Sequence, residues 1–136
     1  MRLSTLLFSI IFGFSFLTAT AQESEHYVWD LRDLYASPDD WEAAFTDLEN
    51  RLQRVDRYRG TLGNSAEALA EALTTISEAY KELTRVYIYT SVRRDADQRN
   101  PDEQTLFGRA MQLYTDWGEA TSWLSPEILS VGTENV

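Results

Sequence analysis

Two carboxylates side by side can divide general acid and general base duty, and this chain offers two such pairs, Asp30 with Asp33 and Asp39 with Asp40. The work requires a perturbed carboxyl in a cleft. Asp39 and Asp40 instead follow Ser37-Pro38, where a helix start accounts for them, and Asp30 and Asp33 flank Arg32. Neither pair is read as catalytic. Asp95-Ala96-Asp97-Gln98-Arg99-Asn100 opens like a calcium loop, with carboxylates two apart. It then puts Arg99 at the fifth position, Asn100 where the turn glycine belongs and Leu106 where the twelfth needs a bidentate Glu. A solvated linker is the expectation there. His26, near Glu23 and Glu25, is the single histidine, and one imidazole beside two carboxylates on a short polar lead-in does not make a rigid metal site. With no Cys, thiol nucleophiles, Cys-ligated zinc, iron–sulfur clusters and disulfide scaffolds are all removed. The expected set of catalytic, cofactor-binding and metal-ligating residues is therefore none in each class.

Binding chemistry has two further candidates. Trp29, Trp41, Trp117 and Trp123 might be thought a sugar or peptide platform, but three of them fall on or near apolar stripes, so packing is the expectation, with Trp123 the one at the surface. Arg51, Arg54, Arg57 and Arg59 form a small basic cluster, for which pairing with Asp and Glu at helical spacing is sufficient. Against 12 basic side chains stand 22 acidic ones, and a formal charge of −10 repels phosphate backbones. No nucleic-acid partner is expected.

The elements that must hold these residues are helices. Ser37-Pro38-Asp39-Asp40 combines an N-cap, a proline at the first helical position and carboxylates in the first turn. Trp41, Phe45, Leu48, Leu52, Val55 and Tyr58 then recur every three or four residues, and Gly60 stops the run, which predicts a helix over 38–59. Asn64 with Glu67 reads as a capping box opening a helix over 66–93, with Leu69, Leu73, Ile76, Tyr80, Leu83, Val86 or Tyr87, and Thr90 on its stripe. The alanines along it raise helix propensity. Asn100-Pro101-Asp102-Glu103 repeats the start signal, and Leu106, Ala110, Leu113, Trp117, Ala120 and Leu124 predict a third helix over 101–124. Ser125-Pro126-Glu127 is one more helix start, with too few residues after it for an independent element. Short connections favour antiparallel neighbours, so the expected fold is all-α, an antiparallel bundle of about three helices behind an N-terminal strap. Burial of about ten large apolar side chains, at roughly 1.5–3 kcal/mol each, is of the order of the ordering entropy, which makes the isolated bundle marginal.

Residues 1–21 read as a signal peptide: Arg2, an apolar run from Leu6 to Leu17, then small residues with Ala19 and Ala21 at the cleavage positions. Twelve apolar-run residues fall short of the about 20 that span a bilayer, so no stable membrane span is expected. The organisation read from the sequence is a signal peptide at 1–21, a strap at 22–36 and a helical lobe at 37–131. The expected compartment is exported, periplasmic or extracellular.

Trp29-Asp30-Leu31-x-Asp33-Leu34-Tyr35, then Pro38 and Trp41, then Tyr58-Arg59-Gly60-x-Leu62, resembles the start of oligoendopeptidase F and its relatives, zinc metallopeptidases of the thimet-oligopeptidase superfamily. Ala66 to Leu73, Tyr87-Ile88-Tyr89-Thr90-Ser91 with Arg93, Asp95, Asp97 and Pro101, and Pro126-Glu127-Ile128-Leu129 extend the likeness over residues 27–131. The resemblance implies a helical wall of a peptide channel, and zinc for the full-length family member, held by a His-Glu-x-x-His helix and a downstream Glu. A single His rules that motif out of this chain, so no active-site residue carries over and the chain alone should be inactive. The reading is the N-terminal lobe of an exported zinc-dependent oligoendopeptidase acting on short peptides, whose partner is a catalytic domain missing from this chain. The alternatives are a stand-alone secreted helical module that binds a peptide or protein, and a structural partner for a separately encoded peptidase. A lobe is expected to leave Trp29, Leu34, Trp123 and Leu129 uncovered as one apolar patch.

Overall fold

A computed structural model describes residues 29–134; His26 and the segment read as a signal peptide lie outside them. The first helix, α1, runs Pro38–Val55. The Ser37 Oγ accepts from the Asp40 amide at 3.2 Å, and Pro38 begins the helix with Asp39 and Asp40 in its first turn. Trp41, Phe45, Leu48 and Val55 are buried along one face. The helix stops earlier than its apolar stripe. Residues Asp56–Tyr58 tighten into a 3-10 turn that carries Tyr58 into the core, Arg59 is extended, and Gly60 takes φ +77°. Only the missing Cβ makes that backbone inexpensive.

Helix α2 is Ala66–Ala96, capped by Ser65, whose side chain accepts from the Ala68 amide at 3.1 Å. The expected cap, Asn64, is instead occupied in the preceding turn, where its amide donates to Thr61 O at 3.0 Å. The helix also continues three residues beyond its predicted end. Its buried face is Ala72, Ile76, Ala79, Leu83, Val86, Tyr89 and Thr90, a stripe rotated from the predicted one. Leu69 and Leu73 are half-buried, and Tyr80 is 46% exposed. Ala72 and Ala79, at 0% and 1% exposure, bring the helices close because they are small.

Helix α3, Pro101–Ala120, begins at Asn100, which accepts from the Asp102 amide at 2.9 Å, and buries Ala110, Leu113 and Trp117. Its end falls before the predicted residue 124, because Thr121 turns the chain, donating from its amide and its hydroxyl to Trp117 O at 3.0 and 2.7 Å. Helix α4, Leu124–Glu134, realises the fourth start. At 11 residues it is too short to stand alone and folds back on the bundle instead, with Val131 against Gly63.

Cross-contacts give the directions. Trp41 Nε1 donates to Val86 O at 3.2 Å and the Tyr58 hydroxyl to Thr75 Oγ1 at 3.3 Å, so α1 and α2 run antiparallel. Arg93 with Glu103, and Tyr80 with Tyr114, do the same for α2 and α3. The three long helices form an up-down-up bundle around Trp41, Leu48, Leu83, Val86, Leu113 and Trp117. Ahead of α1, the strap makes a turn through Leu31–Tyr35 and plants Tyr35 against α2, edge-on to Tyr89 with centroids 5.4 Å apart. The all-α bundle expected from sequence is the fold observed.

Candidate functional site

The polar side chains of the bundle are committed mainly to holding it. Arg93 grips Glu103 through Nε and Nη2 at 2.8 and 2.5 Å and donates from Nη1 to the Tyr89 hydroxyl at 2.8 Å. The carboxylate raises the Arg93 pKa above its ordinary value, the Tyr89 contact adding to it. Arg109 crosses from α3 to Glu42 on α1 at 2.6 and 2.8 Å and lies 4.4 Å from the Phe45 ring centroid. Its guanidinium holds the Glu42 carboxyl below the usual range. The Tyr35 hydroxyl donates to Glu82 at 2.6 Å, and Arg85 joins Glu82 while donating to Leu34 O. Burial first, and then the bond to Glu82, raises the Tyr35 pKa.

The carboxylate pairs lie at the surface. Asp30 is bound at both oxygens by Arg32, whose hydrogen bonds lower its pKa to about 2, and Asp33 is exposed. Asp40 accepts from Ser37 Oγ at 2.8 Å, and Asp39 is exposed in the same first turn. In the 97–100 linker Asp97 accepts from the Arg99 amide at 3.1 Å, and Asp95 pairs with Arg94. Among the described residues no three His, Cys, Asp or Glu side chains gather closely enough to hold a metal ion.

Two surface expectations change. Trp29 is 73% exposed, whereas Trp123 is half-buried under the Arg59 guanidinium, 5.8 Å from its centroid. Leu34 is half-buried too, so Trp29, Leu34, Trp123 and Leu129 do not form the single uncovered patch expected of a lobe: the strap turn tucks Leu34 in, and α4 brings Trp123 against the core. Besides Trp29 and Leu129, the exposed large apolar side chains are Tyr80, Ile88, Met111 and Tyr114 of α2 and α3 and Ile128 of α4.

The Arg cluster divides. Arg51 pairs with Asp47 at 2.7 Å and Arg59 with Asp56 at 2.9 Å, as helical spacing predicts. Arg54 and Arg57 make no direct ion pair among the described residues: Arg54 Nε donates to Asn50 O at 3.0 Å, and Arg57 Nη2 donates to the Tyr58 hydroxyl at 2.5 Å, with the Glu71 charge acting on Arg57 from farther off. Arg51, Arg54 and Arg57 line a cavity of about 210 Å³ with Val55, Ile76 and Trp117. Sequence reasoning missed it because its walls come from three helices. The only available sign was an arginine every third residue, at 51, 54 and 57, across the end of α1 and the 3-10 turn after it.

No family model matches the chain. It is 37% identical over 103 residues to oligopeptidase PepF of Bacillus subtilis, covering 76% of this chain and 15% of that protein. It is 30% identical over 112 residues to an oligoendopeptidase F homolog of Lactococcus lactis, covering 82% of this chain and 19% of that one. The crystal structure of oligoendopeptidase-F from Enterococcus faecium aligns at a TM-score of 0.66 and 30% identity, over 69% of this chain and 19% of its own. Over most of its length the chain is homologous to part of oligoendopeptidase F. It spans less than a fifth of the length of these relatives, consistent with an N-terminal region of that family.

The segments that carried the resemblance to oligoendopeptidase F meet in space. Glu127, of Pro126-Glu127-Ile128-Leu129, reaches the Tyr58-Arg59-Gly60-x-Leu62 turn and accepts from the Gly60 amide at 2.8 Å and the Leu62 amide at 2.9 Å. Tyr35, Trp41, Tyr58, Leu62 and Tyr89 are buried, and Arg93 bridges α2 to α3. These residues hold the helices of the bundle to one another.

Proposed function

We propose that the chain is the N-terminal lobe of an exported zinc-dependent oligoendopeptidase that hydrolyses short peptides, with the metal-bearing region outside these residues. The observation that carries this reading is the shared helical fold with oligoendopeptidase-F at 30% identity over 69% of the chain. Zinc does not fit the residues present. His26 is the single histidine, and among the described residues no three-ligand cluster is present to hold the ion, so no chemical step is derived through it. The lobe's contribution is a rigid wall, pinned by Arg93–Glu103, Arg109–Glu42 and the Glu127 clasp. Among the described residues no helix is long and apolar enough to cross a membrane. Export rests on the layout of residues 1–21, with periplasm or medium as the destination.

Reading the coding DNA past Val136 tests the proposal. An open frame leading to His-Glu-x-x-His supports it, and a stop codon followed by unrelated sequence overturns it. Purified alone, the chain should cleave no quenched peptide and bind no stoichiometric zinc. Export is tested separately, by sequencing the N-terminus of secreted material, which should begin at Gln22.

A further inference from the structure

We propose that the cavity between α1, α2 and α3 binds the C-terminal residue of a peptide, taking its apolar side chain inside and its α-carboxylate on Arg54 and Arg57. The inference goes beyond the peptidase-lobe reading and stands without it.

Charge points to an anion. In a chain of net charge −10, three of 12 basic side chains line one small opening, and two of them, Arg54 and Arg57, make no direct ion pair among the described residues, Glu71 acting on Arg57 only at longer range. Both guanidiniums are preorganised. Arg54 is tethered by Nε to Asn50 O, and Arg57 by Nη2 to the Tyr58 hydroxyl, with its guanidinium carbon 4.7 Å from the Tyr58 ring centroid. That hydroxyl donates onward to Thr75 Oγ1 at 3.3 Å. Each tether uses one nitrogen of its guanidinium, and such planar forks match a carboxylate's two oxygens.

Size and lining point to an apolar side chain beside that anion. Val55, Ile76 and Trp117 give the cavity apolar walls, and its volume of about 210 Å³ exceeds the roughly 150 Å³ that accommodates benzene. One large apolar side chain fills it; a phosphate by itself would leave those walls bare. A C-terminal residue carries side chain and carboxylate on a single carbon. An internal Asp or Glu supplies its charge from one residue and must borrow the apolar group from another, with backbone running on in both directions.

The full chain is titrated with N-acetylphenylalanine, N-acetylphenylalaninamide, acetate and the amidated dipeptide N-acetyl-Asp-Phe-amide, followed by isothermal calorimetry and saturation-transfer NMR. The free acid should saturate one site, and the other three probes should bind at least about tenfold more weakly, the scale of losing a hydrogen bond to a charged group. The R54Q/R57Q variant should weaken the acid by a similar factor with an unchanged circular dichroism spectrum. R54Q alone, which leaves the Arg57–Tyr58 contact in place, should give a smaller loss. Equal binding of acid and amide, equal binding of acetate or the amidated dipeptide, undiminished binding to both variants, or no saturation by the acid would each overturn the proposal.

Discussion

Replacing Glu127 with Ala removes the carboxylate that fastens α4 to the turn closing α1. Two amides lose their acceptor: Gly60, which is exposed and turns to water, and Leu62, which is buried at 1% exposure and does so poorly. A hydrogen bond to a charged group contributes about 1.5–3 kcal/mol where desolvated and a few tenths where water replaces it, so about 2 kcal/mol of local stability should go. Helix α4 has 11 residues, below the length that sustains a helix in water, and Val131 also lies beside Gly63 of that turn. The loss should therefore appear as local opening. Hydrogen exchange read by mass spectrometry should speed up about 30-fold in peptides covering 60–64 and 124–132, while the α2 core around Leu83 and Val86 changes little. Glu127→Gln, which keeps one acceptor oxygen, should fall between. Exchange in Glu127→Ala that matches wild type over 124–132 would refute the reasoning, because α4 would then hold its place without the clasp.

Gly60 adopts φ +77° with nothing within 4 Å of an added Cβ, so Gly60→Ala should cost about 1–2 kcal/mol in urea unfolding from backbone strain alone. Ala79→Leu should destabilise by about 1–3 kcal/mol through overpacking, whereas Ala70→Leu, at an exposed position on the same helix, should change the urea midpoint little. Glu42 is held below its ordinary value of 4.5 by Arg109, so its stabilisation is complete above that value and lost as pH falls through the lower folded-state value. The difference in thermal midpoint between wild type and Glu42→Gln should accordingly be present at pH 7, correspond to no more than about 1 kcal/mol for this half-exposed pair, and close in acid. A difference that widens below pH 4 would contradict that assignment.

The number of long helices and the start of two of them were legible in the amino acids alone, because an N-cap is a local event: Ser37 with Pro38, and Asn100 with Pro101, satisfy amides within a few residues of themselves. The sequence also carried the kinship with oligoendopeptidase F through the Trp29–Tyr35, Tyr58–Leu62 and Pro126–Leu129 segments, and it excluded a His-Glu-x-x-His site by counting histidines. The tertiary structure decided which edge of each apolar stripe faces inward. On α2 an apolar face wider than the contact leaves Tyr80 and Ala79 equally eligible by spacing, and close approach to α1 and α3 selects the alanine while the tyrosine goes outside to meet Tyr114. Tertiary structure likewise moved the end of α1 back to Val55, hid Trp123, released Trp29 and set Arg54 and Arg57 over apolar walls. Each of those outcomes depends on residues tens of positions apart in the chain, whose meeting is a property of the packed bundle that spacing along one helix does not contain.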